Sequence, residues 1–263
     1  MASNTTSRLV LVVGLCVFLV SGTATWADVV LPFTENWNGE TAGDDASQLA
    51  HWGYESAYGA APAADATIVH IGGGDNVLDM NPRNAESMGI RSERALFGGS
   101  LLSVETDMQL TTDGDGAGVI GFSQNTAALN GYVLAVSRDG SGGAWVDLRK
   151  FDGDLNDSFT VGPVQVATLD PTLPHTYRLE ATFSPGQIAF EVYVDNSHLT
   201  SPNLNPIDST PHTFSDGLRF ALASNFGQQA YFDDFQAIPE PAMLGLLSVG
   251  GLGLLRKRRS RRA

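Results

Sequence analysis

The amino-acid sequence predicts an all-β fold, an antiparallel jelly-roll β-sandwich, flanked by an N-terminal signal helix and a C-terminal short hydrophobic helix. Two patterns and a length predict the all-β class, and a resemblance given below selects the jelly roll. Apolar and polar residues alternate with a period of two through most of the chain, and no window sustains the ~3.6-residue period of an amphipathic helix. Clusters of Gly, Asp, Asn and Pro separate the alternating runs, as turns between strands require. The 211 residues between the two hydrophobic ends are many for a sandwich but suit a single jelly roll or barrel, in which strands pair their apolar faces across two layers.

The elements follow in chain order. Arg8 is the one charge before an uninterrupted apolar run over residues 9–20, and small residues follow, ending in Thr25-Trp26-Ala27. That is the order of a secretory signal peptide, and twelve apolar residues are too few for a permanent membrane span. Residues 1–27 are therefore expected to be removed, with the cut after Ala27. Cys16 lies inside this run and follows Leu15, where lipidation needs a small residue. It is the only cysteine, so the mature chain can make no disulfide, thiolate nucleophile or cysteine-bound metal centre.

The body, residues 28–238, reads as one domain without repeats. Leu102, Val104, Thr106, Met108 and Leu110 alternate with Ser103, Glu105, Asp107 and Gln109; Tyr132, Leu134 and Val136 form a second set. Tyr177, Leu179, Ala181 and Phe183 form a third, and Ile188, Phe190, Val192 and Val194 a fourth, joined through Ser184-Pro185-Gly186-Gln187 as a hairpin. Further strands are predicted over 119–123, 144–151, 218–224 and 230–237. The Ala-rich stretch 57–66 reads as a surface loop.

Residues 239–263 close the chain with Pro239-Glu240-Pro241, fourteen uncharged residues over 242–255, and six positive charges from Arg256 to Arg262. Fourteen helical residues span ~21 Å against a hydrocarbon core of ~30 Å, so the segment anchors poorly. The basic cluster holds that end in the cytoplasm and leaves the body outside, the same topology that the N-terminal signal demands.

Two resemblances follow from these residues. The Pro-Glu-Pro triplet, the short Gly- and Leu-rich stretch and the Arg-rich end resemble the PEP-CTERM sorting signal, which implies an exosortase-type sorting enzyme as partner and a transient membrane stage. The order of elements in the body resembles the concanavalin A-like, laminin-G-like jelly roll. This rests on Leu31-Pro32-Phe33-Thr34-Glu35-Asn36-Trp37, Asn130-Gly131-Tyr132-Val133-Leu134, His175-Thr176-Tyr177-Arg178-Leu179-Glu180 and Ala230-Tyr231-Phe232-Asp233-Asp234-Phe235. It implies that the first and last strands lie side by side, and it leaves function open because lectins, hydrolases and inert scaffolds share the fold.

The body holds 28 Asp and Glu against 8 Lys and Arg, a net charge of −20 that repels phosphate backbones and excludes nucleic acid as a partner while favouring divalent cations. Catalytic patterns are missing. A retaining glycosidase of this fold needs two carboxylates about 5 Å apart, usually within Glu-x-Asp-x-x-Glu, and that spacing is absent; Glu191 and Asp195 read as a solvent-facing pair. There is no Gly-x-Ser-x-Gly and no His-Glu-x-x-His, and the five histidines, His51, His70, His175, His198 and His212, are isolated along the chain.

Calcium is the expected ligand class. The stretch beginning Asp152-Gly153-Asp154 imitates an EF-hand loop but has Asp157 where Gly is needed and Pro163 where a bidentate Glu belongs, so it reads as a polar hairpin. Neighbouring strand residues point to opposite faces, so Asp233 and Asp234 imply one inward carboxylate, which needs a partner. The jelly-roll resemblance implies a structural Ca²⁺ between the first and last strands, with Glu35, Asp233 and Asp234 as donors; the alternative is a bend or bulge that leaves both aspartates wet. Trp52, Tyr54 and Tyr58 near a Gly-rich loop, and Trp145 on a strand beside Asp147, are candidates for a sugar-stacking platform, with core packing as the alternative. The expected function is that of an exported, exosortase-sorted surface or extracellular-matrix protein whose lectin-like jelly roll binds polysaccharide without catalysis. The rival is a secreted carbohydrate-active hydrolase with a dispersed site.

Overall fold

The computed structural model describes residues 28–46, 49–54, 66–72, 75–81, 88–111, 116–125, 130–152, 162–225 and 227–239. Sixteen strands lie among them: β1 (Phe33–Glu35), β2 (Trp52–Tyr54), β3 (Ala66–Gly72), β4 (Asp75–Met80), β5 (Met88–Ser92), β6 (Leu101–Leu110), β7 (Ala117–Gln124), β8 (Asn130–Arg138), β9 (Ala144–Asp152), β10 (Val164–Val166), β11 (His175–Ser184), β12 (Gln187–Val194), β13 (Ser197–His198), β14 (Ile207–Asp208), β15 (Leu218–Ser224) and β16 (Ala230–Pro239). All of their pairings are antiparallel. The larger sheet runs β13-β12-β11-β6-β16-β4-β3, with β1 also on β16 and β14 on β12; the second runs β10-β9-β8-β7-β15-β5-β2.

Alternation decides what each strand buries. On β6 the side chains of Leu102, Val104, Thr106, Met108 and Leu110 are buried between the sheets, and those of Glu105, Asp107 and Gln109 are half-buried on the outer side. Tyr177, Leu179 and Ala181 on β11, with Ile188, Phe190 and Val192 on β12, extend that inner face. The second sheet answers with Ile120 and Phe122, Tyr132 and Leu134, Leu148, Phe220 and Leu222. Each large side chain removed from water in this way contributes about 1.5–3 kcal/mol. The predicted hairpin is a two-residue turn, Pro185-Gly186, with Gly186 at φ 77°, a conformation that favours glycine.

The first and last strands do lie side by side: Phe33 pairs with Ala237, Thr34 with Gln236 and Glu35 with Phe235. Phe33 stacks on Phe220 of the opposite sheet, at 6.3 Å between ring centres. Trp52 packs between Trp37 at 5.6 Å and Phe235 at 5.4 Å, so aromatic contacts join this closure to the second sheet. The stretch 57–65 lies outside the described residues, but Ala66, which the sequence reading placed in a loop, starts β3 and is buried.

Among the described residues one basic side chain is buried. Strand geometry puts Lys150 on the inner side with Val146 and Leu148, and Asp208 of β14 meets its Nζ at 3.1 Å. Lys150 also donates to the Thr210 carbonyl at 2.7 Å, and the Tyr132 hydroxyl donates to Asp208 Oδ2 at 2.6 Å. Burial opposes ionisation of Asp208, but the bonds from Tyr132, the Thr210 N–H and Lys150 outweigh it and hold the carboxyl below its usual range. This knot ties residues 207–212 to the second sheet.

Candidate functional site

The outer face of the second sheet is built from unusually small side chains. Register places Arg149, Val133, Gly121, Ala221, Arg91 and Gly53 in one row across β9, β8, β7, β15, β5 and β2. The next row holds Asp147, Ala135, Val119, Ala223 and Gly89, and on the other side lies Phe151, Gly131, Ser123 and Arg219. The middle of this face is a second apolar cluster, Ala117, Val119, Val133, Ala135, Phe151, Ala221 and Ala223, all buried. Gly121 and Gly131 are required by close approach: a Cβ on the first would strike the Tyr132 carbonyl, and on the second the Phe122 carbonyl.

Larger groups frame these small residues. At the β9 side stand Trp145, half-buried opposite Ser137 and Gln165, and Asp147, whose Oδ2 accepts from Arg149 Nε at 2.7 Å. At the other side a pocket of about 430 Å³ is lined by Arg91, Arg94 and Arg219 with Asp28, Glu93 and Asn125. Arg94 forms a bidentate pair with Asp28, Nε to Oδ1 at 2.8 Å and Nη2 to Oδ2 at 2.6 Å. Arg219 Nε donates to Asn125 Oδ1 at 2.7 Å, and its Nη1 to the Ser92 carbonyl at 3.3 Å. Glu93 receives His51 Nδ1 at 3.1 Å.

The structure redistributes the residues singled out from the sequence. Trp52 is a core residue, 4 % exposed: β2 turns it inward, Phe33, Trp37 and Phe235 surround it, and it also belongs to the lining of the arginine pocket. Tyr54 ends the same strand and its side chain is outside the described set, as is the whole of Tyr58. Of the two aromatic candidates whose side chains are described, Trp52 and Trp145, it is Trp145 that stands on an outer face.

Glu35 is not brought together with Asp233 and Asp234. It shares the inner side of β1 with Phe33, where its Oε1 accepts the Trp37 N–H at 3.2 Å and burial raises its pKa. Asp233 pairs with Asp107 on the outer side of β16. The premise of one inward aspartate is corrected by a β-bulge between Asp233 and Gln236, with Asp234 at φ 45°. The extra residue lets Phe232 and Phe235 both face the core while Asp233 stays half-buried outside and Asp234 exposed. The bulge lies where β16 exchanges its neighbour β4 for β1. Thr106 stabilises it from within by donating to the Asp233 carbonyl at 2.7 Å. Burial, followed by repulsion from Asp234, Asp107 and Asp75, pushes the Asp233 carboxyl up to about 6.

Among the described residues no group of three or more His, Cys, Asp or Glu side chains is gathered in a manner that could hold a metal ion. Glu191 and Asp195 do not share a strand face: Asp195 lies beyond the end of β12 at φ 49°, where its Oδ2 meets His175 Nδ1 at 2.7 Å. The EF-hand-like loop beyond Asp152 falls outside the described residues, as do residues 1–27 and Glu240 and Pro241. Pro239 is the last residue of β16, paired with Leu102, and among the described residues no helix is long and apolar enough to cross a membrane.

Sequence reasoning missed Arg91, Arg94 and Arg219. A signal was available, because basic residues are scarce in the body and three of its eight line one pocket.

No family model matches the chain, and no curated protein matches it by sequence. Solved structures do. An endo-1,3-β-glucanase from Streptomyces sioyaensis aligns with a TM-score of 0.52 at 16 % identity, covering 83 % of this chain and 98 % of its own. The carbohydrate recognition domain of Emp47p aligns at 0.50 with 12 % identity, covering 75 % and 94 %. The fold is a concanavalin A-like jelly roll. A potassium-bound form of the Emp46p carbohydrate recognition domain is also similar, at TM-score 0.50 and 10 % identity over 78 % of this chain and 99 % of that one. At these identities the likeness concerns the fold.

Proposed function

We propose that the protein is exported and held at the cell surface or in the extracellular matrix, where its jelly roll binds polysaccharide without cleaving it. The observation that carries the non-catalytic reading is the chemistry of the second sheet's outer face. Within its described strands β7, β8, β9 and β15 Asp147 is the one outward carboxylate, and it is paired with Arg149; the two acids of the pocket at its margin, Asp28 and Glu93, are paired with Arg94 and His51. Glycoside hydrolysis needs two carboxyl groups, about 5 Å apart for retention or about 6.5–9.5 Å for inversion. The carbohydrate reading draws support from the fold shared with a glucanase and a carbohydrate recognition domain. Incubation of the purified protein with a panel of bacterial and algal polysaccharides tests it: retention without new reducing ends is the expected result, and release of reducing ends would establish the hydrolase instead.

Export and sorting rest on the two ends of the sequence. The signal over 1–27 directs secretion, and an exosortase-type enzyme reads Pro239-Glu240-Pro241 while the short apolar segment is held in the inner membrane. Mass spectrometry of surface-exposed protein should find neither residues 1–27 nor 256–262, and Glu240→Ala should leave unprocessed protein in the inner membrane.

For Ca²⁺ the proposal narrows to Asp233 and Asp234, with Glu35 left out because it stands on the other side of the sheet. Ca²⁺ takes about six to eight oxygen ligands, so backbone carbonyls or waters would supply most of them. The potassium-bound Emp46p domain supports an ion in this fold. The melting temperature should rise more in Ca²⁺ than in Mg²⁺ at equal ionic strength; Asp233→Asn should abolish that difference and Glu35→Gln should keep it.

A further inference from the structure

The geometry points to a more specific ligand, and we propose that the arginine pocket at the β2–β5–β15 end of the second sheet binds the anionic group of an acidic sugar, a carboxylate or a sulfate ester. This rests on the polysaccharide reading and adds the class of glycan.

The argument begins with scarcity. A body of net charge −20 keeps few cations, and most of those described elsewhere are engaged with acids: Lys150 with Asp208, Arg149 with Asp147, Arg178 with Glu105 and Glu180. Three of the body's eight cations, Arg91 on β5, Arg94 just after it and Arg219 on β15, nonetheless converge on one cavity from positions up to 128 residues apart in sequence, with Arg94 paired to Asp28 inside it. Guanidinium groups present planar, fork-shaped donors that match carboxylate and sulfate oxygens. The pocket is also organised in advance. Asn125 and the Ser92 carbonyl orient Arg219, and Ser92 itself is fixed, buried, with its hydroxyl accepting the Phe220 N–H at 2.9 Å. Two carboxylates share the lining; Asp28 is paired with Arg94, and Glu93 with His51. The volume of about 430 Å³ falls in the range of small-ligand sites, ~300–1,000 Å³, and accommodates a sugar ring.

Two consequences follow. Long-range repulsion between the acidic body and an acidic polymer is screened within ~8 Å at physiological salt, so recognition is confined to contact at the pocket. The proposed cleavage after Ala27 would add a further cation there, since Asp28 then carries the free α-ammonium of the mature chain.

The experiment compares full-length protein with Arg91→Gln, Arg219→Gln and Asp28→Asn variants, by calorimetry at ~0.15 M salt. The probes are polygalacturonate for carboxylates, dextran sulfate for sulfate esters and a neutral β-1,3-glucan. One or both anionic polymers should bind, and each arginine substitution should weaken that binding about tenfold or more. Asp28→Asn should tighten it, because Arg94 loses its internal counter-ion, and a misfolded chain cannot mimic a gain. The anion retained more tightly identifies the group. Neutral glucan bound as well as the anionic polymers, with no effect of the arginines, would overturn the inference and leave the polysaccharide reading standing; no binding to any polymer would overturn both.

Discussion

The two sheets obey the same alternation but present opposite outer faces. On the larger sheet that face is a polar lattice. Arg178 lies 4.2 Å over the Tyr193 ring, 3.1 Å from Glu180 and 3.6 Å from Glu105, while Thr176 donates to Asp107 at 2.5 Å. On the second sheet the corresponding positions are Ala, Val, Gly and Ser, and they are buried. A sheet buried on both sides reads in sequence as a continuous apolar run, as Ala117–Gln124 and Leu218–Ser224 do, whereas a sheet with one wet face alternates cleanly, as Leu101–Leu110 does. The difference teaches that the second sheet's outer face is built for close approach, with long side chains kept to its margins.

The largest expected effect would break this contrast directly. Ala223→Asp places an unpaired carboxylate on the buried outer face and should destabilise by at least about 3 kcal/mol, while Thr182→Asp, at an exposed outer position of the larger sheet, should change stability by less than about 0.5 kcal/mol. Denaturant titration of the pair measures it, and equal losses would mean that the two faces are alike.

Next comes Gly121→Ala, whose new methyl meets the Tyr132 carbonyl between paired strands. A loss of about 1–3 kcal/mol is expected; a neutral result would show that close approach is not required there. On the polar face Arg178→Ala removes a cation–π contact and two partly exposed ion pairs. Its cost should be only about 1 kcal/mol and should shrink in high salt.

The smallest effect has the opposite sign. Asp233 titrates at about 6 in the fold against 3.8 ordinarily, so the folded state holds its proton longer than the unfolded chain does. Its favourable contribution is complete below about pH 4 and is lost as pH rises through about 6. In Ca²⁺-free buffer Asp233→Asn should therefore stabilise the protein at pH 7 by about 1 kcal/mol, an amount reduced by partial exposure, and should flatten the melting temperature between pH 4 and 6. A variant that keeps the wild-type slope would assign the titration to another group.

Much of the fold was legible because alternation is local. The strand sets on β6, β8, β11 and β12, the Pro185-Gly186 turn and the antiparallel sandwich all follow from the pleat, which sends successive side chains to opposite faces. The short strands β1–β5, β10, β13 and β14 were harder, since two to seven residues carry too little pattern to stand out from loops. The candidate site was less legible still. Trp52 and Trp145 look alike in sequence, and only their strands' orientation sends one to the core and the other outward. At Asp233 and Asp234 strict alternation fails, because β16 inserts a residue where its neighbour changes.

By itself the sequence determined the all-β class, the absence of cysteine from residues 28–263, the acidity of the body and the faces that most long strands bury. Those properties depend on composition and on backbone geometry over a few residues. Tertiary structure alone decided that Asp208 would meet Lys150 and Tyr132, that Glu35 would stand apart from Asp233, and that Arg91, Arg94 and Arg219 would share a pocket. Each of these joins distant segments, and strand order and register come from the burial summed over both sheets, which no local window contains.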